Sequence, residues 1–133
     1  SAVAQDSIVK DAAVYVDRTS NAVIDSNSVL GSDNGIYVKD ALKPFVQSIY
    51  ARNVQNRVIN IIGCYKAIVG YNTLDSVNTG IYVSNSKRTS IEGNNLYVTK
   101  DYGIYLDTGA DSTNVYANVI GADFLNSPKY SLG

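Results

Sequence analysis

A three-residue phrase returns along this chain at almost constant spacing. Val14-Tyr15-Val16, Ile36-Tyr37-Val38, Ile81-Tyr82-Val83 and Ile104-Tyr105-Leu106 share one pattern, and Ile59-Asn60-Ile61 fills the place between them. The triplets start at 14, 36, 59, 81 and 104, so the steps are 22, 23, 22 and 23. A fixed period of this length marks stacked structural repeats, each too small to bury its own apolar face and each dependent on its neighbours.

A second phrase, apolar-x-x-Asn-x-apolar, runs in step with the first. It recurs as Ile24-x-x-Asn27-x-Val29, Val69-x-x-Asn72-x-Leu74, Ile91-x-x-Asn94-x-Leu96 and Val115-x-x-Asn118-x-Ile120. Ile49-x-x-Arg52-x-Val54 reads as the variant copy and Val3-x-x-Asp6-x-Ile8 as a fainter one. The starts at 3, 24, 49, 69, 91 and 115 are less even, and the longest step coincides with Ala41-Leu42-Lys43-Pro44, which reads as an insertion.

The triplets alternate with period two, so each is a strand with its first and third side chains facing inward. Gly35, Gly80 and Gly103 precede three of them and read as tight turns feeding the strand. The second phrase holds two short strands around a bend. Each repeat therefore supplies three short strands and three turns, and stacked repeats form parallel sheets with strands ~4.8 Å apart. An inward Asn at the bend has donors and an acceptor on one amide. It can bond its own turn and the Asn one level away. Asn72, Asn94 and Asn118 are expected to form one structural ladder, with Asn27 apart because Arg52 interrupts. A buried unpaired Arg is costly, so Arg52 is expected to turn outward or the 40–48 segment to reshape that level.

Composition excludes several functions. The net charge is −1, which gives no electrostatic case for nucleic acid or for an anionic membrane. No apolar run approaches the ~20 residues that cross a bilayer as a helix. The chain has no histidine, which removes the commonest general base and most zinc sites. Cys64 is the single cysteine and reads as a core thiol. No Walker or dinucleotide glycine motif occurs, so no cofactor and no metal site is expected.

Repeats of about 22 residues carrying Gly-Ile-Tyr-Val and then Ile-x-Gly-Asn-x-Leu resemble the right-handed parallel β-helices, a superfamily with pectate lyases, polygalacturonases, alginate epimerases and phage tailspikes. A leucine-rich repeat shares the Leu-x-x-Asn-x-Leu tail but has no place for the Ile-Tyr-Val strand. The expected fold is thus an all-β solenoid of five to six coils. Coils are expected over residues 1–123, starting mid-coil, with 124–133 a C-terminal cap or exit segment. Family enzymes are usually longer, which suggests a section of a larger protein or one chain of an oligomer. The resemblance implies an extracellular or virion-surface setting, a trimer by the tailspike members, and Ca²⁺ only if the chemistry is that of a lyase.

The outward members of the triplets, Tyr15, Tyr37, Asn60, Tyr82 and Tyr105, form a column. A sugar unit of an extended polysaccharide has about the length of one strand spacing, and Tyr offers an apolar face and a hydroxyl. The column is read as a polysaccharide-binding stripe. Two plainer uses stay open: cross-strand stacking that only stabilises the sheet, and subunit packing. Asp101 and Asp107 are weak candidates for catalytic carboxylates of a lyase, hydrolase or epimerase. No recognised signature surrounds them, and solvated turn carboxylates are the commoner finding. Asp17 and Asp107 are four coils, or ~19 Å, apart and too far to cooperate. Three roles follow: a glycan-binding section, a polysaccharide-processing enzyme, or a structural shaft that oligomerises.

Overall fold

The computed structural model describes residues 12–97 and 99–121, and in them the repeat becomes a parallel β-solenoid. Each coil contributes one strand to each of three five-stranded sheets. The first sheet stacks β1 (Ala12–Asp17), β4 (Asn34–Lys39), β7 (Arg57–Ile62), β10 (Val77–Ser84) and β13 (Thr99–Leu106). The second stacks β2 (Val23–Asp25), β5 (Phe45–Gln47), β8 (Ile68–Gly70), β11 (Ser90–Glu92) and β14 (Asn114–Tyr116). The third stacks β3 (Ser28–Leu30), β6 (Tyr50–Arg52), β9 (Thr73–Asp75), β12 (Asn95–Tyr97) and β15 (Val119–Gly121). All pairings are parallel, so each strand meets its own counterpart one coil on.

The core follows from period-two alternation. Ile36, Val38, Ile59, Ile61, Ile81 and Val83 of the first sheet are wholly buried. They face Val46, Val69 and Ile91 of the second sheet and Ala51, Leu74 and Leu96 of the third. Cys64 is buried among them, with its Sγ donating to the Val38 carbonyl.

Between strands the chain turns on single residues in the left-handed region. Arg18, Asp40, Gly63 and Asn85 form one such column, and Ser26, Ser48, Tyr71, Gly93 and Ala117 another. A non-glycine residue there costs ~1–2 kcal/mol. Hydrogen bonds to the next coil offset it: Asp40 N–H donates to the Ile62 carbonyl at 2.9 Å, and Tyr71 N–H to that of Glu92 at 3.0 Å. The coil-to-coil ladder thus continues through the corners.

Three sequence expectations need correction. Gly35, Gly80 and Gly103 lie inside β4, β10 and β13, not in turns, and none has a positive φ. Gly35 is required by close approach: a Cβ there would sit 2.4 Å from the Val58 carbonyl oxygen of the next coil. The variant copy of the second phrase is also displaced. Ile24 pairs with Val46, and Val46 with Val69, so the copy in this coil is Val46-x-x-Ile49-x-Ala51. The starts become 24, 46, 69, 91 and 115. The insertion at 41–44 disappears, because Leu42 bridges Ser20 and Tyr65 as an ordinary corner residue. Ile49, not Arg52, occupies the ladder position, and Arg52 faces solvent from β6. The copy at Val3, the expected start of the coils and the cap at 124–133 lie outside the described residues.

The ladder itself is continuous over three coils. Asn72 Nδ2 donates to Asn94 Oδ1 at 2.9 Å, and Asn94 Nδ2 to Asn118 Oδ1 at 2.9 Å. The Asn72 amide satisfies the next level down by accepting from Ile49 N–H. Ile49 has no side-chain amide to pass the bond on, so Asn27 is exposed and, among the described residues, its side chain bonds locally, to the Asp25 carbonyl.

Candidate functional site

The strand register places Tyr15, Tyr37, Asn60, Tyr82 and Tyr105 side by side on the outer face of the first sheet. Their exposure differs. Tyr15, Tyr37 and Tyr105 are half-buried, Tyr82 is 7% exposed, and Asn60 is 1% exposed despite its outward position. Tyr15 and Tyr37 stack tilted at 5.8 Å, and Tyr82 and Tyr105 edge to face at 5.5 Å. These distances are those of favourable aromatic pairs.

The corner between the third and first sheets builds a wall beside this column. Its length alternates along the chain. Val29 to Ile36 is seven positions, Ala51 to Ile59 eight, Leu74 to Ile81 seven and Leu96 to Ile104 eight. The bend between the second and third sheets, by contrast, is five positions from Ile24 to Val29 and in every later coil. The extra residue in the last long corner is a bulge: Val77 pairs with Thr99, but Thr79 pairs with Tyr102. A bulge re-aims side chains. Here it accompanies Tyr102, whose ring lies 4.6 Å from that of Tyr105 at 66°. The other long corner delivers Arg57, whose guanidinium carbon sits 3.6 Å from the centroid of the Tyr82 ring.

Wall and column enclose an open groove of about 520 Å³. Tyr37, Tyr102, Tyr105 and Asn60 line it, with Arg57, Asp101, Asn56, Gln55, Asn34, Asn78 and Thr79. Aromatic faces, amides and one guanidinium make up most of that lining. At Asn60, Nδ2 donates to the Ile36 carbonyl at 3.2 Å and more weakly to that of Arg57 at 3.5 Å. Those two acceptors fix the orientation of the amide. Oδ1 then has no hydrogen-bond partner among the described residues, although it is buried. Leaving such an acceptor unpaired costs ~1–3 kcal/mol.

The carboxylates do not come together. Asp101 lines the groove, whereas Asp107 follows the far end of the same strand. Six residues of extended chain separate them, or ~20 Å. Asp107 has a structural partner set: its Oδ2 accepts from the Tyr82 hydroxyl at 2.7 Å and its Oδ1 from the Thr108 N–H at 2.7 Å. The Tyr82 hydrogen bond is the largest influence holding the Asp107 carboxyl below its ordinary pKa. Burial, then the bond to Asp107, raises that of Tyr82. Asp17 pairs with Arg18 at 2.8 Å. No group of three or more potential metal-ligating side chains occurs among the described residues.

Of the column, Tyr37, Asn60 and Tyr105 line the groove and Tyr15 and Tyr82 do not; Arg57, Tyr102 and the amides of the wall line it from outside the column. The signal for these was present in the alternating 22- and 23-residue steps, which mark the coils with the longer corner.

Neither curated proteins nor solved structures give a match to the chain. A family model does, described as the right handed beta helix region, and it spans residues 4–124. With three parallel sheets, one strand of each per coil, and a match over most of its length, this chain belongs to the right-handed β-helix family.

Proposed function

We propose that this chain is a polysaccharide-binding section of an extracellular or virion-surface protein, and that the groove beside the Tyr column is its binding surface. The carrying observation is the lining: Tyr37, Tyr102 and Tyr105 offer ring faces beside an amide-rich wall. Ring faces take the C–H surface of a sugar, and amides and guanidinium take its hydroxyls. The groove runs across strands spaced ~4.8 Å apart, so an extended glycan meets a new row of side chains at each coil. A binding role is favoured over a catalytic one by the separation of Asp101 from Asp107, since glycoside hydrolysis needs two carboxyl groups within ~10 Å of each other.

Titration calorimetry against a panel of polysaccharides tests this reading. Tyr105→Ala and Tyr37→Ala are each expected to weaken the best ligand ~3–10-fold, the value of one aromatic contact. Circular dichroism should show an unchanged β signal. Equal affinity in both folded variants would remove the groove as the binding surface.

A further inference from the structure

A different corner carries a second surface. Between the first and second sheets, Asn21, Lys43, Lys66, Arg88 and Ser112 stack one above another, all with positive φ. Their backbones are tied coil to coil: Lys43 N–H donates to the Tyr65 carbonyl at 2.7 Å, Lys66 N–H to that of Lys87 at 2.9 Å, and Arg88 N–H to that of Asp111 at 3.0 Å. Lys87 stands in the adjacent column, in register between Tyr65 and Asp111. Three successive coils thus place Lys43, Lys66, Lys87 and Arg88 on one exposed ridge. That is four of the chain's 11 lysines and arginines in a protein of net charge −1.

Two features make the ridge unusual. The left-handed backbone there favours glycine or asparagine, and Asn21 shows the residue that would suit it. Three coils instead hold a long cationic side chain at that position. Among the described residues, none of the four is within ion-pair reach of a carboxylate; the pair that does form is Arg18 with Asp17. Like charges at strand spacing repel one another; Asp111, in register beside Lys87 at one end of the ridge, is an acidic neighbour and forms no ion pair with it among the described residues. Lys66 lies 5.5 Å from the Tyr65 ring centroid, which holds its stem against the corner without neutralising it.

We infer that this ridge is an anion-binding track for a linear polysaccharide bearing an acidic group on successive units. The cations repeat at ~4.8 Å along the solenoid axis, close to the length of one unit in an extended glycan. A single-stranded nucleic acid is less suited. Proteins that hold one interleave cations with a series of aromatic platforms, and this ridge offers one ring, Tyr65. The track is separate from the Tyr groove and does not depend on it.

The test is surface plasmon resonance of the whole chain over polygalacturonate, dextran sulfate, neutral dextran and oligothymidylate, at two salt concentrations. The variant is Lys43→Asn/Lys66→Asn/Arg88→Asn. Asn accepts the left-handed backbone, so the corner is kept. At least one acidic polysaccharide should bind, and the arm that binds tells carboxylate from sulfate recognition. Its affinity should fall with salt with a log–log slope on the order of three, from displaced counterions. The triple variant should bind at least ~10-fold more weakly, the value of about 1.4 kcal/mol, while Arg52→Asn, which removes an exposed cation from the third sheet, binds as the parent does. The inference is overturned if neither acidic polysaccharide binds, if neutral dextran binds equally, or if oligothymidylate binds more tightly than both. It is also overturned if Tyr105→Ala, and not the triple variant, loses binding, because the anion then sits in the groove.

Discussion

At Asn94 one side-chain amide makes four hydrogen bonds. Its Nδ2 donates to the Val69 carbonyl and to Asn118 Oδ1, and its Oδ1 accepts from the N–H and the Nδ2 of Asn72. Asn94→Ala leaves these partners buried and unpaired, and is expected to cost ~2–4 kcal/mol. Asn27→Ala removes one exposed local bond and should cost less than ~1 kcal/mol. Urea unfolding of the two variants measures the contrast; equal losses would show that the ladder is not cooperative. Tyr82 and Asp107 make a pH-dependent pair. The folded state depresses the Asp107 pKa, chiefly through the Tyr82 hydroxyl. Its contribution is therefore present above the ordinary Asp value of ~3.9 and lost as pH falls through the lower folded value. Tyr82 is shifted the other way, so its contribution is present below ~10 and lost as pH rises through the higher folded value. Tyr82→Phe should accordingly lose less stability than the parent on acidification below pH ~4, as followed by thermal melts across that range. Parallel curves for the two proteins would assign the pair no part in acid unfolding.

The elements divide into one rigid bend and two corners of different tolerance. The bend is five positions in every coil, and in every coil one left-handed residue (Ser26, Ser48, Tyr71, Gly93 or Ala117) stands before the ladder position, Ile49 included; the Asn ladder ties three of these bends together. The corner between the third and first sheets absorbs an extra residue in alternate coils, and that slack delivers Arg57 and Tyr102 to the groove. Deleting Lys100 restores the shorter step at the bulge. The melting temperature should then fall less than in Asn94→Ala, while groove affinity falls with the displaced Tyr102. Retained affinity would show that the bulge does not shape the site. This division explains what was readable in advance. Strands and column followed from the strict alternation at Ile36-Tyr37-Val38 and its copies. The ladder run of Asn72, Asn94 and Asn118 was legible because side chains of one type repeat at one position. The level at 46–51 was not, because Ile49 replaces Asn and Arg52 happens to follow Ile49 at the spacing of the motif. Gly35 and Gly80 were misread because a glycine needed for close approach of a neighbouring backbone looks the same in sequence as one needed for a turn. Arg57 and Tyr102 were out of reach, since their contacts with the column depend on how a corner folds over it.

As a whole, the molecule is a spring in which each coil packs on the next and its walls and corners carry different chemistry. The first wall presents rings and amides, the adjoining corner presents cations, and the bend opposite is closed by the Asn ladder. In a solenoid, stability is close to a sum over neighbouring coils, so outward side chains can specialise with little effect on the core. The eleven tyrosines report on this arrangement, because Tyr50, Tyr71 and Tyr116 are exposed away from the groove that Tyr37, Tyr102 and Tyr105 line. The decisive measurement is the NMR spectrum of ring-labelled tyrosine in the intact chain, assigned by single Tyr→Phe variants and titrated with the tightest-binding polysaccharide. The signals of Tyr37, Tyr102 and Tyr105 should shift together along one binding curve while those of Tyr50, Tyr71 and Tyr116 stay in place. Movement confined to Tyr50, Tyr71 or Tyr116, or no movement at saturating ligand, would contradict a glycan-binding groove on the first sheet.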